Sequence, residues 1–522
     1  MGTHLARTAP GRRLLLACLA GCAALVAVVL YLNALDNPFV YDDYRLIVEN
    51  ASILHPSDIQ TILIRDSTRP VVNLSYAIDT ALWGGNPFGY HLTNVLLHAV
   101  NVLLVFWVAL LASDDRARQP RQSVAASASP AVVAMSTALL FAAHPMLTQA
   151  VGYISGRSEV AYGCFFLLAF LAGRRWMLGG GRWWWATCVA LWLVAVLTKE
   201  SAAMLPFVLL AYDWFVLDAD SGERRRRFLR LALPLLSLTL LAGVSRIAIL
   251  QLVEYHGTVT DWRFMLVAVD VFWRYLGMFA VPVDQAIFHA VPMVSSPFAP
   301  RALAGMLGLV AFLGAVWGLR RVHSLLAFGL LWFLVIQIPS SVLFTLGIGE
   351  PMAEHRAYVA AIGLFLTWGT AFAMLWSRAS TRPWGRAIVC AAGVLFVGQM
   401  GLKTMVRNAI WGDPVLLSRE AIGLAPEHWV PRLLLAEALR HTGRCGEAIP
   451  EYRAAISARP QEEFPYTKLA GCLIEERRLD EAETALLQLR TINPESRDAS
   501  MVLGIVATLK RGQVESATAG RP

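Results

Sequence analysis

The chain has 522 residues, of which 57% are apolar and only 16% are charged, against the roughly 25% charged content of soluble domains. That balance excludes a soluble globular enzyme and describes a polytopic membrane protein. The net charge of +8 is not a nucleic-acid signature, because most of it sits in short arginine clusters between apolar runs.

Those clusters are Arg12-Arg13, the stretch 116–121, Arg174-Arg175, the stretch 224–227, Arg320-Arg321 and the stretch 378–386. Under the positive-inside rule they mark cytoplasmic loops. Only four of the 45 basic residues are lysine (Lys199, Lys403, Lys468 and Lys510). The arginine bias suggests a GC-rich genome and favours a bacterial inner membrane, or the endoplasmic reticulum membrane if the source is eukaryotic.

Apolar stretches that fit a bilayer fall at 14–35, 91–112, 131–143, 158–173, 183–198, 201–217, 228–250, 302–319, 322–345, 357–377 and 386–402. The first follows a basic lead, lacks a small-residue cleavage site and is read as a retained anchor. A further stretch, 263–283, carries Asp270 and Arg274 and precedes Pro282, which suits an interfacial or re-entrant helix. Leaving it out makes eleven spans and puts every arginine cluster on one side. The N-terminus is then cytoplasmic. The loops at Asp42, His144 to Arg157, Lys199-Glu200, 251–300 and Glu354 share the opposite face with everything after Lys403.

Beyond 402 the composition turns soluble. Pro426, Pro460 and Pro494 recur every 34 residues, as do Ala448 and Ala482, within Gly446-Glu447-Ala448-Ile449 and Leu479-Asp480-Glu481-Ala482. A 34-residue period of paired amphipathic helices is the tetratricopeptide signature. It divides the chain into a membrane domain, 1–402, and a repeat domain, 403–522, with repeats at 429–462 and 463–496. Such a stack either binds peptide in a concave groove or braces the membrane domain. Cys445 and Cys472 could pair in an oxidising compartment; Cys18, Cys22, Cys164, Cys188 and Cys390 lie in spans as small apolar residues.

The outer-face loops hold charges that no span needs. Asp42-Asp43, framed by Phe39, Tyr41 and Tyr44, is either a general base beside a second, ionised carboxylate or a solvated loop end. Arg69-Pro70 opens an amphipathic stretch ending at Gly84-Gly85. His91, Asn94, His98 and Asn101 share one helical face and must turn inward; they are read as internal hydrogen-bonding groups, with His91 and His98 only a weak metal pair. His144-Pro145, Gly156-Arg157-Ser158-Glu159, Lys199-Glu200 and Glu354-His355-Arg356-Ala357-Tyr358 follow. Their cations are either fold-stabilising ion-pair partners or ligands of a phosphate, for which Arg157, Lys199 and Arg356 have suitable chemistry. No Gly-rich nucleotide loop, H-E-x-x-H, G-x-S-x-G or C-x-x-C occurs.

With the stretches 37–43, 69–70, 90–101, 143–159, 197–200 and 354–358, and Arg407-Asn408 with Trp411, the chain resembles the transmembrane and tetratricopeptide-repeat O-mannosyltransferases. That family is similar to the wider GT-C glycosyltransferases. The resemblance implies an all-α protein: a polytopic helical bundle of GT-C type followed by a short tetratricopeptide-repeat solenoid. It implies transfer of a hexose, mannose above all, from a polyprenyl- or dolichyl-phosphate donor to an acceptor hydroxyl on protein Ser or Thr at the non-cytoplasmic face. Asp42 or Asp43 becomes the base. Arg69, Arg157, Lys199, Glu354 and Arg356 become the residues around the donor, with His91, Asn94, His144, Glu159, Glu200 and Tyr358 as polar support. No cofactor is required, although a divalent cation at Asp42-Asp43 would fit the carboxylate pair. The repeat array is short, and Gln149 stands where the family has an acid after the His-Pro motif. A ligase for lipid-linked glycans and a non-enzymatic, membrane-anchored repeat scaffold are the other readings.

Overall fold

The computed structural model describes residues 10–65, 68–119, 128–217, 220–249, 261, 263–294, 296–345 and 350–519. Among them 83% of the chain is helical and there is no strand. Helices alone satisfy their own backbone groups in lipid, so this is the form an apolar chain must take there. The molecule is an integral, multi-pass membrane protein, and its chain contacts define two units.

The first unit comprises residues 1–39, 43–285 and 291–412. Nine of its described helices are long and apolar enough to cross a bilayer, and the bent pair Pro130–Ala143 and Pro145–Val151 makes a tenth if it is one span. Arg182–Thr198 is a shorter apolar helix of 17 residues, at the low end of what a bilayer needs. Each of the eleven expected spans coincides with one of these helices. The stretch set aside from that count is the separate helix Arg263–Ala280, outside the long apolar set. It buries Val267, Val271, Phe272, Tyr275 and Phe279, while Asp270 pairs with both Arg274 and Arg301 at 2.8 Å.

Small residues let spans meet closely, as is usual where lipid offers no hydrophobic drive. Gly329 on Ser324–Thr345 faces Gly363 on Tyr358–Ala379, so tightly that a Cβ on either would collide with the other's backbone. The arginine clusters are not all loop residues, as the sequence suggested. Arg174 is buried and makes a bidentate pair with Asp115, at 2.7 and 2.6 Å, which also accepts from Tyr212 at 2.6 Å. Arg227 pairs with Asp213 at 2.6 Å. These arginines tie helices together as well as setting charge bias.

The last apolar helix, Gly385–Trp411, does not stop at the expected domain edge of 402. Its C-terminal turn is buried through Thr404, Arg407, Asn408 and Trp411, and Thr404 donates to Ala143 O at 2.7 Å. Contacts divide the chain at Gly412 and Asp413 instead.

The second unit comprises residues 40–42, 286–290 and 413–522. Its helices pair: Trp429–His441 with Cys445–Ala458, and Phe464–Glu475 with Leu479–Ile492. The repeat is visible in detail. Arg444 meets Glu447 and Arg478 meets Glu481, each at 2.7 Å across three residues. Gly443 (φ 72°) and Arg477 (φ 59°) occupy the same left-handed position after the first helix of each pair. Cys445 and Cys472 are joined in a disulfide between neighbouring helices, with Cα atoms 5.1 Å apart.

The left-handed position is free to glycine and costs other residues about 1–2 kcal/mol. Arg477→Gly is therefore expected to stabilise this unit by about 1 kcal/mol, after allowing for the freer unfolded chain. Slower amide exchange across Phe464–Glu475 and Leu479–Ile492 in the full-length protein checks it; unchanged exchange would mean the backbone strain is already relieved.

Candidate functional site

The candidate site lies in the first unit, where four short breaks between helices converge. The first break runs from Asn37 to Asp43. Asn37 donates to Asn408 O at 3.0 Å and its carbonyl accepts from His91 Nε2 at 3.1 Å, so the end of the first span is tied to two others. Asp43, fully buried, follows. Its Oδ1 accepts from Ser155 N at 2.9 Å and Ser155 Oγ at 2.5 Å. Asp42 is half-buried and groups with the second unit.

The second break, after His144, places Ser155. Gly156 allows it: a Cβ there would lie 2.6 Å from the carbonyls of both Gln149 and Ala150, so only glycine lets the segment turn this tightly. Asn94 donates to the carbonyls of Val151, Tyr153 and Ile154 at 3.4, 3.2 and 3.3 Å. His98 Nδ1 accepts from the Tyr358 hydroxyl at 2.8 Å, and Asn101 donates to that hydroxyl at 3.1 Å and to Val160 O at 2.8 Å. The polar face of Pro87–Ala117 is thereby spent on internal hydrogen bonds, as expected of polar groups in lipid. His144 accepts from Met146 N at 3.3 Å and donates to Phe279 O at 3.0 Å.

Of the two roles open to Arg157, its contacts match the fold-stabilising one. It is fully buried, paired to Asp79 at 2.5 Å, and donates to Asn94 Oδ1 at 2.8 Å and Tyr90 O at 2.7 Å while lying over the Tyr76 ring. Its donors are committed to protein. Its partner Asp79 is the one charged residue of the helix Pro70–Trp83.

Lys199 and Glu200 are neighbours in sequence but serve different partners. Lys199 meets Glu159 at 2.5 Å with both buried. Glu200 meets Arg69 at 3.4 Å, where the side chains are 34% and 37% exposed. This second pair is only partly exposed and long, and its net worth is small. Arg69, Lys199 and Arg356 all lie within electrostatic range of Glu200, and all three reach His355.

The fourth break holds Glu354, His355 and Arg356. Glu354 is buried and accepts from Gln285 at 2.9 Å. Gln149, the departure noted above, accepts from His355 N at 2.8 Å and sits 3.1 Å from its Nδ1, so its amide orients His355. Arg356 is half-buried and donates to Glu350 O at 2.6 Å. Tyr275 donates to Ala353 O at 2.6 Å and holds this turn.

Ser155, Tyr76, Gln285 and Tyr275 were not singled out in the sequence; only the position of Ser155, inside the 143–159 stretch, hinted at a role. Burial, reinforced by the Asp43 charge, pushes the Tyr76 phenol up, so it stays a neutral donor. Among the described residues no group of three His, Cys, Asp or Glu is placed to hold a metal ion. The arrangement offers the Asp43 carboxylate, buried and oriented by Ser155, and a set of cations, of which Arg69 and Arg356 are partly exposed.

Removing one partner of a buried ion pair costs about 3–5 kcal/mol. Arg157→Ala should therefore lower thermal stability and yield together with any activity, and Asp79→Ala should do the same. A stable Arg157→Ala protein with a selective loss of substrate affinity would return Arg157 to the site.

No protein-family model matches the chain. Among individual proteins, the chain is 29% identical to Protein O-mannosyl-transferase Tmtc1 of Drosophila melanogaster, over 85% of this chain and 62% of that one. It is 26% identical to human Protein O-mannosyl-transferase TMTC1, over 85% of this chain and 55% of that one. It is 24% identical to Drosophila Protein O-mannosyl-transferase Tmtc3, over 91% and 59%. The chain thus spans little more than half the length of these relatives. They support the TMTC-like family to which the motifs pointed.

Proposed function

We infer that this TMTC-like chain is a membrane glycosyltransferase that moves mannose from a polyprenyl-phosphate donor to a Ser or Thr hydroxyl of a protein at the non-cytoplasmic face. The reading is supported by two features of one unit: a buried Asp43 carboxylate oriented by Ser155, and a cluster in which Arg69, Lys199 and Arg356 act on Glu200 and His355, with Tyr76 feeling both Asp43 and Arg69.

Asp43 takes the proton of the acceptor hydroxyl as its oxygen attacks the anomeric carbon from the face opposite the phosphate. The bond to the phosphate oxygen breaks, the configuration inverts, and the lipid phosphate leaves carrying the electron pair. Arg356 and Arg69 meet that developing charge; Arg suits it because its fork matches phosphate. Lys199, neutralised by Glu159, sets the field without touching the donor. Glu354 holds the turn that aims Arg356. The repeats, of tetratricopeptide type, receive the acceptor protein. A ligase for lipid-linked glycans would use the same groups, and a donor series running from monosaccharide to oligosaccharide carriers separates the two.

Charge and redox support this face. Eleven spans, counting Arg182–Thr198 and with the arginine clusters cytoplasmic, would leave the second unit outside the cytoplasm. The Cys445–Cys472 disulfide favours the same side, since such bonds persist in oxidising compartments. Reporter fusions after Arg227 and after Gln461 test it. The first should report cytoplasm and the second the opposite face; a cytoplasmic signal from the second would overturn the outer-face mechanism.

The chemistry is tested with polyprenyl-phosphate mannose and a Ser/Thr peptide. Asp43→Asn keeps size and removes basicity, and should slow transfer about 10²–10⁴-fold, while Asp42→Asn retains most activity. Near-wild-type transfer by Asp43→Asn removes it as the base. Arg356→Ala should remain folded and lose donor affinity or turnover, and Arg356→Lys should restore only part because the fork is lost. Unchanged donor kinetics in a stable Arg356→Ala protein would take Arg356 out of the site.

A further inference from the structure

The turn that carries Glu354, His355 and Arg356 is fixed from three sides. The Tyr275 hydroxyl donates to Ala353 O at 2.6 Å and accepts from Ala353 N at 3.2 Å. Gln285 donates to Glu354 at 2.9 Å and to Pro145 O at 3.0 Å. Arg356 donates to Glu350 O at 2.6 Å. Between these anchors the His355 ring has one hydrogen-bond partner among the described residues, the side chain of Gln149. Gln149 is buried in the short helix Thr148–Val151, against whose carbonyls Gly156 packs without room for a Cβ. The orienting group is therefore as firmly held as the turn.

An amide can be turned either way, but here only one way works. The backbone N–H of His355 points at Gln149 from 2.8 Å. An N–H needs an acceptor, so the oxygen of the amide faces it rather than the amino group. The same oxygen lies 3.1 Å from His355 Nδ1, and an amide oxygen cannot donate, so Nδ1 carries the ring proton. Three cations, Arg69, Lys199 and Arg356, act on the ring, and a second ring proton would set a fourth like charge beside them. The carboxylates around the cluster are engaged elsewhere: Glu159 with Lys199, Glu200 with Arg69, Glu354 with Gln285. Nε2 therefore keeps its lone pair. His355 is partly exposed, and among the described residues Nε2 has no hydrogen-bond partner. A phosphate oxygen is drawn by the three cations but, being an acceptor itself, finds nothing at Nε2. What Nε2 can take is an O–H standing next to an anion. A sugar phosphate has that form, with hydroxyls on the ring whose anomeric carbon bears the phosphate.

We propose that His355 reads the sugar of the donor, its Nε2 accepting a hydrogen bond from a ring hydroxyl, with Gln149 as the positioning residue that fixes the tautomer. The assignment rests on the sugar-phosphate donor inferred above and adds a contact to the sugar, where the cations serve only the phosphate. The amide at 149 matters because it orients the ring without charging it. A carboxylate in its place would favour the doubly protonated ring, which can only donate.

The probes are a short-chain polyprenyl-phosphate mannose and the same polyprenyl phosphate without sugar, titrated onto the full-length protein in detergent. The ratio of the two affinities isolates the sugar. His355→Ala should lower that ratio about three- to tenfold, the worth of one hydrogen bond, with little change in the affinity for the bare polyprenyl phosphate. His355→Gln, whose side-chain oxygen can take the place of Nε2, should recover part of it. Gln149→Glu should make the ratio depend on pH: close to wild type at about pH 8 and reduced at about pH 6, as the new carboxylate draws a second proton onto the ring, while the wild type stays flat. A residue that only braced the turn would lower both affinities together and give no such profile. Equal loss of both affinities in His355→Ala and His355→Gln, an unchanged ratio in His355→Ala, a flat Gln149→Glu profile, or a wild type that does not prefer the mannosylated lipid would overturn the assignment. Binding is independent of turnover. If the ratio responds as expected but no acceptor peptide is ever mannosylated, the proposed reaction fails and the sugar contact stands. If transfer proceeds and His355→Ala leaves the ratio unchanged, the reverse holds.

Discussion

A charge inside a bilayer must find an opposite charge or leave, and most of the polar architecture in this protein follows from that requirement. Arg157 with Asp79, Lys199 with Glu159, and Arg174 with Asp115 are buried pairs at 2.5 to 2.6 Å, each joining different helical segments. Burial makes them expensive to break. They fix which helices are neighbours and at what depth, much as hydrophobic complementarity does in a soluble core.

The same requirement sorts the remaining charges. Once the buried pairs are made, Arg69, Arg356 and Lys403 are left at partly open positions. Arg69 has a partner in Glu200 at a loose 3.4 Å, Arg356 donates to a carbonyl, and Lys403 reaches one only at 3.4 Å. These are groups that an anionic ligand can engage without first dismantling the fold. Asp43 completes the set, since Ser155 orients its carboxylate from a segment that only glycine at position 156 lets fold so tightly.

The second unit obeys simpler rules. Its 34-residue repeat returns the same ion pair, Arg444 with Glu447 and Arg478 with Glu481, and the same left-handed turn at Gly443 and Arg477. The disulfide at Cys445 adds a covalent link between successive helix pairs. Local period thus dictates local structure here, whereas in the membrane unit the decisive contacts are long-range.

That difference explains what could be read from the chain alone. Apolar run length determined where the spans lie, because bilayer thickness and helical rise leave little choice, and Pro426, Pro460 and Pro494 exposed the repeat because it is periodic. The motif stretches also located the segments that meet at the site. Partner choice was not legible: Lys199 passes over its neighbour Glu200 for Glu159, and Arg157 takes Asp79, which carried no motif. The hold of Ser155 on Asp43 was equally invisible. Such features depend on which helices touch and on which face of each helix turns inward. That is settled only when every buried charge has been paired at once, a condition on the whole bundle that no single stretch of sequence contains.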